Sequence, residues 1–309
     1  MKKIAYLASA VLAGLGFSTA ANADVTVSGA GGVEVLSAGS TTNVSQGGSV
    51  TFSLSTTTAS GITISTSSGF GTDSDGAADA FDGKNEFTSM SFAAGGNTVT
   101  VATALELPAG GGVGGVSKDL VSTGLAAGTA AAGAGDHTGA GVQLSTSLGS
   151  ASLTVGYVFD TGATTPQSAT SGNDTAFGAS LSMPMGAVTV TINHAQDNDS
   201  TTSGSETGGN IAYAVGGGTA KVGYLDDTTS GAAATEMSAS YTMSLDADTS
   251  LAVGYATTDE GTSSTQVTEV GITRAMGGGV SLFLDYSSIA GSTGSGNNSA
   301  MAFGTNIAF

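Results

Sequence analysis

Nearly every side chain in this sequence that could do chemistry is a carboxylate. Twenty-four Asp and Glu stand against six Lys and Arg, and two of those six, Lys2 and Lys3, lie at the extreme N-terminus. Beyond residue 23 the basic residues are Lys84, Lys118, Lys221 and Arg274, the histidines are His137 and His194, and cysteine is absent. No disulfide, thiolate or convincing nucleophile–base pair is on offer, and serine is too abundant to single one out, so the chain does not read as an enzyme. Its glycine-rich stretches lack the strand–loop–helix setting of a phosphate cradle. It also lacks the basic footprint that nucleic acid requires. What many carboxylates can do is attract cations. DSD at 73–75 and DND at 197–199 offer Asp73, Asp75, Asp197 and Asp199 as oxygen ligands, and Asp226-Asp227 is a third acidic run. None has EF-hand spacing, so solvated loop acids and no cofactor are expected, with Ca2+ as the alternative.

These acids must be carried by something, and the N-terminus says where. MKKIAYLASAVLAGLGFSTAANA joins two lysines to an apolar run from about Ile4 to Phe17, then ends Ala21-Asn22-Ala23 before Asp24. That is the pattern of a cleaved signal peptide over 1–23. The run is shorter than the ~20 residues of a helical span. Residues 24–309 would form the mature domain and keep every carboxylate.

Beyond the leader the chain alternates. GAVTVTINHA sets Val188, Val190 and Ile192 against Thr189, Thr191 and Asn193. TEMSASYTM sets Met237, Ala239, Tyr241 and Met243 against Glu236, Ser238, Ser240 and Thr242. A period of two belongs to strands. Sixteen such segments can be placed, near 24–36, 49–57, 60–69, 85–94, 96–105, 139–148, 150–159, 173–183, 185–194, 209–215, 218–226, 234–244, 248–257, 265–276, 278–288 and 299–309. Even-numbered segments are followed by short links, around Ala59, Gly95, Gly149, Pro184, Gly216, Asp246 and Gly277. Odd-numbered ones are followed by longer links, such as 37–48, 106–138 and 196–209.

Loops segregated in this way predict an all-β fold: a closed transmembrane antiparallel β-barrel of about 16 strands, with short periplasmic turns and long extracellular loops. In hydrocarbon every backbone group must be paired, so the sheet can have no edge. The last segment would then be a seam, with Met301, Phe303, Thr305, Ile307 and Phe309 on its lipid side. Tyr157, Tyr224, Tyr255 and Tyr286 share the outward parity near the long-loop rim, as an aromatic girdle does.

The leader end Ala21-Asn22-Ala23, the G-Y strands SLTVGYVFD and TSLAVGYATT, and the final MAFGTNIAF resemble a Gram-negative general porin of the alphaproteobacterial type. The resemblance spans the mature chain as a pattern, and only the last strand is a specific motif. It implies a homotrimer in the outer membrane. It also implies Phe309 as the insertion signal read by the barrel assembly machinery, and the third long loop as an inward-folded constriction. Two features depart from the family: no arginine cluster faces the loop, since Arg274 is the sole arginine, and tryptophan is absent.

The residues themselves can be assigned to such a pore. Segment 106–138 is the longest link, and loops of this length are usually functional or disordered. It carries Glu106, Lys118, Asp119 and Asp136 among small residues, and is expected to narrow the lumen, an external loop being the alternative. Inward parity assigns Glu34, Lys221, Glu236, Glu269 and Asp285 to the wall. Carboxylate rings favour cations, so a cation-preferring channel is expected. Arg274 takes the lipid-facing parity of Val270 and Ile272, where it either snorkels or is flipped by a bulge. The expected function is passive diffusion of small hydrophilic solutes and ions, since sixteen strands leave an aqueous bore. The competing reading, a secreted acidic surface-layer or adhesin-like β-protein, has no need of loops sorted by parity.

Overall fold

The computed structural model describes residues 24–38, 40–72, 89–108, 138–161, 175–198, 204–228, 233–261, 263–291 and 298–309. They form sixteen strands. The first eight are β1 (Asp24–Ala38), β2 (Thr41–Thr57), β3 (Thr63–Thr72), β4 (Ser89–Ala94), β5 (Asn97–Glu106), β6 (Thr138–Leu148), β7 (Ala151–Thr161) and β8 (Thr175–Met185). The second eight are β9 (Val188–Asn198), β10 (Gly204–Val215), β11 (Gly218–Asp227), β12 (Ala234–Ser244), β13 (Thr249–Asp259), β14 (Ser264–Gly277), β15 (Val280–Gly291) and β16 (Asn298–Ala308). Each pairs antiparallel with its chain neighbours, and β1 pairs with β16, closing the ring.

Alternation decides which way each side chain points. Val253 and Tyr255 on β13, Leu282, Leu284 and Tyr286 on β15, and Met301, Phe303 and Ile307 on β16 are large, apolar and exposed, so they face outward. Their chain neighbours Ala256, Phe283, Asp285 and Ala302 are buried on the other face. Lipid against this exterior replaces water, a transfer worth about 1.5–3 kcal/mol for a large apolar side chain.

The short rim is made by glycine. Gly95 and Gly96 have φ of 57° and 82°, Gly216 and Gly217 have 61° and 78°, and Gly278 and Gly279 have 60° and 79°. Positive φ at both central residues is the type I′ turn, whose twist matches that of the strands it joins. The β12–β13 turn uses a side chain instead: the Asp246 carboxylate accepts hydrogen bonds from the backbone N–H of Asp248 (2.8 Å) and Thr249 (2.7 Å).

The structure departs from the sequence reading in extent. The link expected at 37–48 is largely strand, because β1 and β2 stay in register from Asp24↔Ser55 to Ala38↔Thr41. Pro184 is not a turn residue: it pairs with Thr189 inside the β8–β9 ladder, and the chain reverses at Gly186, whose φ is 67°. Most strands also run past their apolar stretch on the long-link side.

The seam is held on both faces. Outside, Phe309 and Gly29 exchange backbone hydrogen bonds of 2.9 Å in both directions, and the Phe309 ring lies where a Cβ on Gly29 would stand. Inside, Leu36, Phe283 and Ala302 pack together across β1, β15 and β16.

Candidate functional site

The inner wall divides into two regions. From β9 around to β1 it is acidic: Asp197, Glu206, Asp227, Glu236, Glu269, Asp285 and Glu34 all lie on the inward, buried face. The four acids assigned to the wall by parity, Glu34, Glu236, Glu269 and Asp285, are among them. The other three are additions. The sequence reading put Asp197 and Asp227 in acidic loop runs and passed over Glu206, because the apolar alternation gives out before those positions. The signal was still present in the inward parity, where Asn193, Ala195 and Asp197 continue one face of β9. Glu206 and Asp227 are direct cross-strand partners. Like charges opposite one another destabilise a ladder, so packing does not favour this placement. Lys221 shares the inward parity of Gly223 and Leu225, lies nearer the short turns opposite Ser240 and Ala212, and is exposed.

From β2 to β9 the half of the inner wall nearer the short turns is lined with hydroxyls. They bond across strands: Thr57 with Thr63 at 3.1 Å, Ser91 with Thr100 at 2.9 Å, Ser145 with Thr154 at 3.2 Å, and Thr191 donating to Ser182 at 3.3 Å. Each pair spans one ladder, so the hydroxyls are fixed by backbone register and not by long flexible side chains.

The chain leaving β5 is turned by a bulge between Ala102 and Leu105. The bulge resets parity. Leu105 and Leu107 become buried in a cluster with Ala102, Val158 and Ala176, while Glu106 between them is exposed on the opposite side. Glu106 therefore does not share the face of the buried wall acids. Lys118, Asp119 and Asp136 lie outside the described residues, as do Asp73, Asp75 and Asp199. Asp197, the remaining calcium candidate, sits on a strand and not in a loop, and no group of three or more metal-ligating residues occurs among the described ones.

Outside, Tyr157, Tyr224, Tyr255 and Tyr286 are all exposed near the long-link end. Tyr157 meets Phe159 edge-on at 5.4 Å. Aromatics also stand at the opposite rim, where the sequence reading assigned no girdle: exposed Tyr213, and Tyr241, whose hydroxyl donates to the Val215 carbonyl at 3.3 Å. Arg274 keeps the outward parity of Ile272, with the bulge falling beyond it between Ala275 and Gly277. Its guanidinium reaches the short-turn rim, donating to Thr249 at 3.0 Å and lying 3.7 Å from the Asp246 carboxylate. Those donors and that cation, led by the Asp248 N–H, hold the Asp246 carboxyl below the usual carboxylate range.

An apolar exterior, a polar interior and a sealed ring define a transmembrane β-barrel. The chain belongs to the Gram-negative porin family, whose model matches residues 8–294. Members of that family are non-catalytic transport proteins of the outer membrane, and this barrel lies there in contact with lipid. Comparison with curated proteins finds no match. Among solved structures, the in-vitro-folded trimer form of OmpT from Vibrio cholerae aligns with a TM-score of 0.70 at 12% identity, covering 93% of this chain and 99% of that one. The anion-selective porin from Comamonas acidovorans aligns at 0.66 and 14% identity, covering 93% and 100%. A mutant of Rh. blastica porin aligns at 0.65 and 15% identity over the same shares. Likeness at these identities establishes the fold, and it extends across several Gram-negative sources.

Proposed function

We propose that the mature chain, residues 24–309 after loss of 1–23, forms a water-filled channel that passes small hydrophilic solutes and ions and prefers cations. The observation that carries this is the arc of seven inward carboxylates from β9 to β1, against which Lys221 is the sole inward lysine or arginine among the described residues. Fixed negative charge along an aqueous path raises the local concentration of cations and repels anions. The Comamonas relative is anion-selective, so the shared fold alone does not set the sign. Reversal potentials of the refolded chain in a planar bilayer, under a potassium chloride gradient, test the reading. A potential on the potassium side is expected, and one on the chloride side would overturn it.

The third long link is placed inward in this reading. Support comes from its first residues, Leu107 and Pro108, which pack on the inner faces of β7 and β8 at Gly156 and Gly178. Lys118, Asp119 and Asp136 would then add charge near the narrowest part. Trimer formation, insertion through the barrel assembly machinery by way of Phe309, and the alphaproteobacterial placement rest on resemblance. The OmpT trimer form supports the first as an analogy. Intact mass of the purified protein tests the leader: a chain starting at Asp24 is expected.

A further inference from the structure

Three consecutive strands lack a side chain on the inner wall where the chain comes off β5. Gly156 on β7 and Gly178 on β8 are in direct register, and Gly141 on β6 stands opposite Val158, two residues further along β7, while Gly156 itself faces Gln143. The chain fills the vacated space. A Cβ on Gly141 would meet the Tyr157 carbonyl oxygen of β7 at 2.5 Å and Leu105 Cδ2 at 2.8 Å, and one on Gly156 would meet Leu107 Cδ2 at 2.6 Å. At Gly178 the same atom would meet Leu107 Cβ at 2.9 Å, Pro108 Cδ at 3.1 Å and the Pro108 carbonyl oxygen at 3.3 Å.

These contacts differ in kind. The obstacle at Gly156 is the far end of a leucine, which can rotate away. The obstacle at Gly178 is a Cβ, a proline ring and a carbonyl, all tied to the backbone. Nothing there can move unless the main chain moves, and proline at 108 restricts φ at that point and keeps the preceding residue extended.

We infer that Gly178 is the positioning residue that sets the calibre of the bore: its missing side chain lets Leu107-Pro108 lie flat on the wall, and any side chain there lifts this segment into the lumen. The inference rests on the channel reading above. It also makes Gly156 and Gly178 unequal, since G156A need only turn a leucine whereas G178A must displace backbone.

The sequence contains no cysteine, so an engineered pair reports cleanly. Wild type, G156A, G178A, G178V and the double variant L107C/G178C would be refolded in detergent. Heat-modifiable migration would select closed barrels, followed by single-channel recording and, for the double variant, oxidation. The expected result is a lower unitary conductance for G178V, a smaller loss for G178A, a value unchanged from wild type for G156A, and ready disulfide formation. G178A and G178V barrels that conduct like wild type would overturn the inference. A conducting barrel in which the cysteines fail to cross-link would refute the seat while leaving the channel reading intact. A silent wild type in which they do cross-link would refute the channel reading, and the calibre claim with it. Should G178V not close, G178A and the cross-link carry the test.

Discussion

Asp246 shows how one side chain can organise a rim. Its carboxylate accepts two backbone N–H bonds from its own turn and lies beside Arg274 from the neighbouring hairpin. Because its carboxyl is held below the ordinary range, the turn is tightened by the ionised form, fully so above the unfolded value of about 3.9. The contribution fades as pH falls through the lowered native value. The expected outcome is lower protection of the Asp248 and Thr249 amides, taken relative to the intrinsic exchange rate at each pH, on strong acidification, with D246N showing the loosened turn at neutral pH; equal protection in both proteins at pH 7 would contradict it. Inside the barrel, the neutral amides E236Q, E269Q and D285N should each move the reversal potential toward zero, and the triple variant should move it furthest. Arg274 shows what the sequence could and could not tell at this scale. Parity placed it on the outside, but its partner Asp246 lies 28 positions away on another turn, and only register brings them together.

Strands were legible wherever one face is apolar, since burial in lipid imposes a strict period of two. Their ends were not legible. On the long-link side both faces become polar, as in TTNVSQGG of β2, and hydrogen bonding alone carries the ladder onward. The bulge between Ala102 and Leu105 was invisible for a related reason: LEL alternates in either register, so the sequence could not say whether Glu106 or its leucines point inward. The turns are a firmer case, because paired glycines announced them. Replacing Gly217, at φ 78°, by valine forces a β-branched residue into the left-handed region, and should lower stability to denaturant by about 1–2 kcal/mol. At the seam, G29V leaves no room for the terminal ring and F309A removes it. Both should lower the temperature at which gel mobility shifts to that of the unfolded chain; an unaltered shift in both would mean the ring does not secure closure.

For the molecule as a whole, selectivity should depend on salt. Fixed charges act over about 10 Å in 0.1 M salt and about 3 Å in 1 M. Cation preference measured across a dilute gradient should therefore exceed that across a concentrated one, whereas a preference set by pore width would barely change. The ring itself was predictable from loop parity, and the seam follows from the need to leave no edge. The crowding of carboxylates toward the long-link half was not foreseen, because the apolar alternation ends before Asp197, Glu206 and Asp227. Its consequence is a passage whose two mouths differ. A cation arriving past the long links would meet the acids early, whereas one arriving past the short turns would first cross a belt of alcohols, so that current should run unequally in the two directions.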